Sequence, residues 1–82
     1  MDRDTIIVKV KKIIEKKLKD MNIESMDENI NFLETYNIDS IGLMQIVFNI
    51  ESEFNIVFEE ENLLIENLST ISKLADIISA KV

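Results

Sequence analysis

Apolar residues recur at helical spacing in three stretches of this chain, and that periodicity narrows the fold more than any other feature. At about 100° per residue, Ile6, Ile7, Val10, Ile13, Ile14, Leu18 and Met21 fall within an arc of roughly 140°. Lys11, Lys12, Glu15 and Lys19 point the other way. Lys17 lies inside the apolar arc and has to snorkel. The pattern predicts a first helix over about residues 4–20, with Asp2 or Asp4 as its cap. A second helix is predicted over about 40–54. Asp39 is its N-cap, and Asn55 takes the left-handed position that closes it. A third follows Ser69 or Thr70, where Ile71, Leu74, Ala75, Ile78 and Val82 share a face and Ile77 sits at its margin. Leu63, Leu64 and Leu68 are spaced for a turn or two of helix within 59–68. Ile56, Val57 and Phe58 form the only β-leaning run, and it is short. Residues 22–39 form a long connection without a helical period. Ile23, Ile30, Phe32, Leu33, Tyr36 and Ile38 are available to pin it across the bundle ends. The expected fold class is all-α, a four-helix bundle of three longer helices and one short one. Residues 1–82 are expected to form a single domain.

Histidine and cysteine are both absent. There is then no imidazole base, no Ser-His-Asp triad, no disulfide framework and no thiolate or ordinary zinc site. The apolar share is 46%, too high for a disordered tail. The longest purely apolar runs are three residues, such as 6–8 and 46–48, so neither a secretion signal nor a spanning segment is expected. The expected compartment is the cytoplasm.

Charge is unevenly placed. Seven of the nine basic residues fall in residues 1–19. Residues 20–72 hold twelve acids and no Lys or Arg, within a net charge of −7. Such a side does not bind nucleic acid. It suits basic protein surfaces, although acidity also serves solubility.

The second helix has two apolar faces. Leu43, Ile46, Val47, Ile50 and Phe54 form one stripe. Ile41, Met44 and Phe48 form another on the opposite side, bordered by Gln45, Asn49 and Ser52 on one flank and Glu51 on the other. Two readings fit: a central helix buried on both sides, or a partner-facing strip in which Met supplies adaptable contact. The strip starts one residue after Ser40. Asp39 and Ser40 form first of all a capping pair. A phosphate esterified to Ser40 would nevertheless lie near unpaired amides and the positive end of the helix dipole. With no His, and no Lys between 20 and 72, Ser40 is a poor nucleophile and a serviceable acceptor.

The run Phe32-Leu33-Glu34-Thr35-Tyr36-Asn37-Ile38-Asp39-Ser40-Ile41 resembles the segment around the modified serine of acyl carrier proteins. In that family a Gly-x-Asp-Ser-Leu core opens the second helix. Glu51-Ser52-Glu53-Phe54-Asn55-Ile56 is similar to the family's Glu-x-Glu-Phe-Gly-Ile helix end. Glu59, Glu60 and Glu61 resemble its acidic entry to the short third helix, and Leu68-Ser69-Thr70-Ile71 the start of its last helix. The match runs over about residues 28–80.

The resemblance implies a non-catalytic carrier whose Ser40 receives 4′-phosphopantetheine from coenzyme A, with Asp39 beside the attachment point. A separate phosphopantetheinyl transferase, with Mg²⁺, makes the transfer. The arm then carries acyl or aminoacyl groups as thioesters between enzymes of fatty-acid, polyketide or related biosynthesis. By position, Ile41, Met44, Phe48, Glu51, Glu53, Glu59 and Glu60 match partner contacts, where basic patches on loading enzymes and synthases grip the carrier. The resemblance implies no resident metal, no membrane insertion and a monomer. The sequence departs from the family's pattern. Asn37 stands where Gly is usual, and Asn tolerates φ > 0. Gly42 and Gln45 stand where fatty-acid carriers usually have acids, and Asn49 where a small apolar residue is common. These changes lean towards a specialised stand-alone carrier of polyketide, nonribosomal peptide, lipid or D-alanyl pathways. The alternative is a helical interaction module acting without a prosthetic group.

Overall fold

The computed structural model describes residues 1–18 and 27–82. Helix α1 spans Arg3–Leu18. Asp2 is its cap, with Oδ1 accepting the Thr5 N–H at 2.8 Å. Ile6, Ile7, Val10, Ile13 and Ile14 are buried as the periodicity requires, and Leu18 packs at the margin. The predicted positions of Met21 and Ile23, and the predicted end of the helix at residue 20, lie outside the described residues.

The connection of residues 22–39 contains a helical turn that its lack of periodicity did not show. Helix α2 spans only Phe32–Thr35, too few residues to display a 3.6-residue period. Asn31 caps it by accepting the Glu34 N–H at 3.2 Å. Phe32 is fully buried, and its N–H donates to the Ser69 carbonyl at 3.0 Å. Leu33, Tyr36 and Ile38 pack partly against the core, whereas Ile30 stays exposed instead of pinning the loop.

Helix α3 spans Ser40–Phe54. It is capped by Asp39 and closed by Asn55 at φ 54°, ψ 50°, both as expected. Ile56 and Phe58 turn inward while Val57 is exposed. That alternation suits a strand, but no strand forms among the described residues. The short helical segment expected within 59–68 is divided between a 3-10 turn at Glu60–Asn62 and helix α4 at Ile65–Leu68. Leu68 is buried, whereas Leu63 and Leu64 are exposed. Helix α5 spans Ile71–Ser79, with the Thr70 hydroxyl accepting the Lys73 N–H at 3.1 Å. Ile71, Leu74, Ala75 and Ile78 are buried. Val82 does not join that face: the helix ends at Ser79, and Val82 is half exposed.

Helix α1 packs on both α5 and α3, and the buried apolar residues form one cluster. Arg3, the chain's single arginine, clasps the far side. It donates to Ser72 Oγ at 2.8 Å and pairs with Asp76 at 2.5 Å and Glu28 at 3.5 Å. The Ser72 N–H donates to the Glu28 carbonyl at 2.9 Å. Glu28, within the connection, is thereby tied to α1 and α5.

Candidate functional site

The site is built by a turn followed at once by a helix cap. After α2, the Ile38 N–H donates to the Leu33 carbonyl at 2.8 Å, and Asn37 adopts φ 54°. Asparagine tolerates this left-handed conformation, so the turn expected at that position forms without glycine. It delivers Asp39 in extended geometry, φ −82° and ψ 178°, as the N-cap of α3. Asp39 Oδ1 accepts the Gly42 N–H at 2.8 Å, and its carbonyl accepts the Leu43 N–H at 2.9 Å.

Ser40 then stands in the first turn of a 15-residue helix, exposed to solvent. The first amides of a helix have no intrahelical acceptor, and the dipole adds positive potential there. Among the described residues the Ser40 hydroxyl has no hydrogen-bond partner. Gly42 sits where little space remains. A Cβ there would lie 3.0 Å from Ile38 Cγ2 and 3.4 Å from Asp39 Oδ1.

The other expected site residues separate into groups. Ile41 is 70% exposed and Phe48 59% exposed, while Met44 is half-buried between them on the same face. This removes the reading in which α3 is buried on both sides. The strip is a surface feature.

Glu51 is turned inward. Its Oε2 accepts the Phe58 N–H at 2.8 Å and so shapes the chain after α3. Glu53 is exposed, but it lies in a groove with Ile13, Lys16, Asn49 and Ser52, away from the apolar strip. Glu59 is exposed and pairs with Lys81 at 3.8 Å. Glu60 begins the 3-10 turn and is exposed.

The sequence reading left the basic residues on the first helix, apart from the acidic side. The structure lays three of them along α3. The Lys9 ammonium sits over the Phe54 ring, 5.7 Å from its centre. Lys16 lines the groove with Asn49, Ser52 and Glu53. The Lys17 Nζ donates to Gln45 Oε1, and its Cε lies 3.5 Å from where a Gly42 Cβ would be. The order 9, 16, 17 against 54, 53 to 49, and 45 to 42 makes α1 and α3 antiparallel. Sequence reasoning missed these contacts. The one available signal was Lys17, a lysine inside the apolar arc of α1.

Comparison with known proteins agrees with the geometry. Residues 8–78 match the family model described as "Phosphopantetheine attachment site". The chain is 36% identical over 73 residues to an acyl carrier protein of Buchnera aphidicola subsp. Schizaphis graminum, covering 89% of each chain. It is 33% identical over 79 residues to an acyl carrier protein homolog of Mycoplasma genitalium, covering 95% of this chain and 86% of that one. It is 30% identical over 79 residues to an acyl carrier protein of Thermotoga maritima, covering 96% and 94%. A helical bundle with an exposed, capped serine, matched over most of its length by this family, places the chain in the acyl carrier protein family, as a carrier that bears 4′-phosphopantetheine.

Proposed function

We propose that Ser40 is the residue that receives the 4′-phosphopantetheine arm. The observation that carries this reading is the exposure of the Ser40 hydroxyl in the first turn of α3, with the neighbouring Asp39 carboxylate directed to the Gly42 amide. A phosphodiester on Ser40 would lie beside the first-turn amides and the positive end of the helix dipole, which suits an anion. Asp39 holds the helix start and keeps those amides oriented. The arm supplies a thiol, on which acyl or aminoacyl groups are carried as thioesters.

The chain serves as a substrate of other enzymes and is not itself catalytic. With no base hydrogen-bonded to Ser40 among the described residues, activation of its hydroxyl falls to a separate phosphopantetheinyl transferase with Mg²⁺. Loading enzymes and synthases meet the strip of Ile41, Met44 and Phe48 and the acids Glu59 and Glu60. Glu53 lies apart from the strip, in the groove beside Lys16, and Glu51 supports the region from within. In this reading the helices act as one monomeric carrier domain in the cytoplasm.

The test is intact-mass analysis of the full chain incubated with coenzyme A, Mg²⁺ and a promiscuous transferase. One phosphopantetheine mass should be added to the native sequence and none to Ser40→Ala, with both chains folded by circular dichroism. Addition to Ser40→Ala, or none to the folded native chain, rejects the assignment.

A further inference from the structure

Helix α3 presents an apolar strip whose α1-side border is uncharged on α3 itself: Gln45, Asn49 and Ser52. Charge arrives there from another element. Lys17 reaches across and is held by Gln45 Oε1, beside the strip. Lys16 stands one step along the same flank, facing Asn49, Ser52 and Glu53. Both side chains are exposed. Among the described residues neither ammonium is within ion-pair distance of a carboxylate. On the opposite border, one oxygen of the Glu51 carboxylate accepts the Phe58 N–H. The α1 flank therefore holds two ammoniums against the single carboxylate of Glu53 and is net positive, whereas Glu51 keeps its charge on the opposite border.

From this, and resting on the carrier reading above, we infer that the docking surface is bipolar. The partner enzyme that fits it seats Ile41 and Phe48 in an apolar socket and places carboxylates opposite Lys16 and Lys17. Basic groups on the partner meet the acidic turn formed by Glu59, Glu60 and Glu61. The physical reason is charge complementarity in both senses. An ammonium at the rim attracts a carboxylate and repels a basic patch, so the same pair selects for one class of partner and against the other. The Gln45 contact lowers the entropy lost when Lys17 is fixed in an interface. A uniformly basic docking face, suited to a uniformly acidic carrier, would meet like charge along this border.

The experiment uses the full chain and the phosphopantetheinyl transferase of the source organism. Transfer from coenzyme A is followed at low and at moderate salt. The chains compared are the native one, Lys17→Gln, and the double variant Lys16→Glu with Lys17→Glu. Circular dichroism establishes that each is folded. The double variant should lose about fivefold or more in kcat/KM, mainly through KM, with Lys17→Gln between it and the native chain, and the loss should shrink as salt rises. A rate that increases on charge reversal means that the facing surface is basic and overturns the inference. An unchanged rate means that the lysines lie outside the interface and overturns it equally. Failure of the carrier reading shows separately, as a native chain that accepts no arm at all.

Discussion

Helix ends are set locally, by a backbone conformation at Asn55 and by side-chain hydrogen bonds at Asp39 and Asp2. Asn55 holds φ 54° at the end of α3, a region that costs an ordinary L-residue about 1–2 kcal/mol. Asn55→Ala should lose about 1 kcal/mol in urea unfolding, whereas Asn55→Gly should keep or slightly exceed native stability. At Asp39 the side-chain oxygen satisfies the Gly42 amide. Asp39→Ala should cost about 1 kcal/mol and slow transfer to Ser40, while Asp39→Asn, which retains an accepting oxygen, should lose much less of either. At Asp2 the Thr5 N–H holds the carboxyl below the usual carboxylate range. A depressed folded pKa stabilises above the unfolded value and is lost as pH falls through the folded one. Asp2→Asn removes the titration and keeps an acceptor. Its melting temperature should therefore fall less steeply than the native chain's between about pH 5 and about pH 2. An identical acid slope in the two chains would contradict this.

Among elements, the interfaces of α1 with α5 and α3 carry the bundle. Ile14 on α1 and Leu74 on α5 are fully buried. Truncating either to Ala should cost about 2–5 kcal/mol, a large share of the roughly 4–12 kcal/mol expected of a chain this size. Ile41→Ala, on the exposed strip, should stay within about 0.5 kcal/mol in the same denaturant series. The contrast separates the core from the exposed strip proposed for docking, without any partner present. The Arg3 clasp joins α1, Glu28 of the connection and α5, but it is partly exposed. Arg3→Gln should therefore cost no more than about 1 kcal/mol. Phe32 shows what elements impose on each other. A single turn of helix has little stability of its own. It persists here because its first side chain is in the core and its first amide is tied to Ser69.

At the scale of the whole molecule, charge is the controlling quantity. Twelve acids without an intervening base between residues 20 and 72 repel one another, and the chain keeps a net charge of −7. The arm-free chain should melt at higher temperature as salt rises from about 0.01 M to about 0.15 M, where the screening length falls from about 30 Å to about 8 Å. A melting temperature indifferent to salt over that range would contradict it. The sequence by itself determined what is local. The 3.6-residue period specifies α1, α3 and α5, since each helix face repeats within a few residues. Asp39, Asn55 and Thr70 specify ends, since a cap bonds three or four residues away. The Asp39-Ser40 pair at a helix start was likewise legible before any fold was known. Only the tertiary structure decided which surfaces meet. It turned Glu51 onto Phe58, left Val82 outside the core and drew Phe32 into it. It also carried Lys17 to Gln45 across 28 positions of sequence. Such contacts depend on how antiparallel helices are set against one another, and no window along the chain contains both partners. The acidic stretch, read from the chain as unbroken, is for that reason bordered by lysines in space.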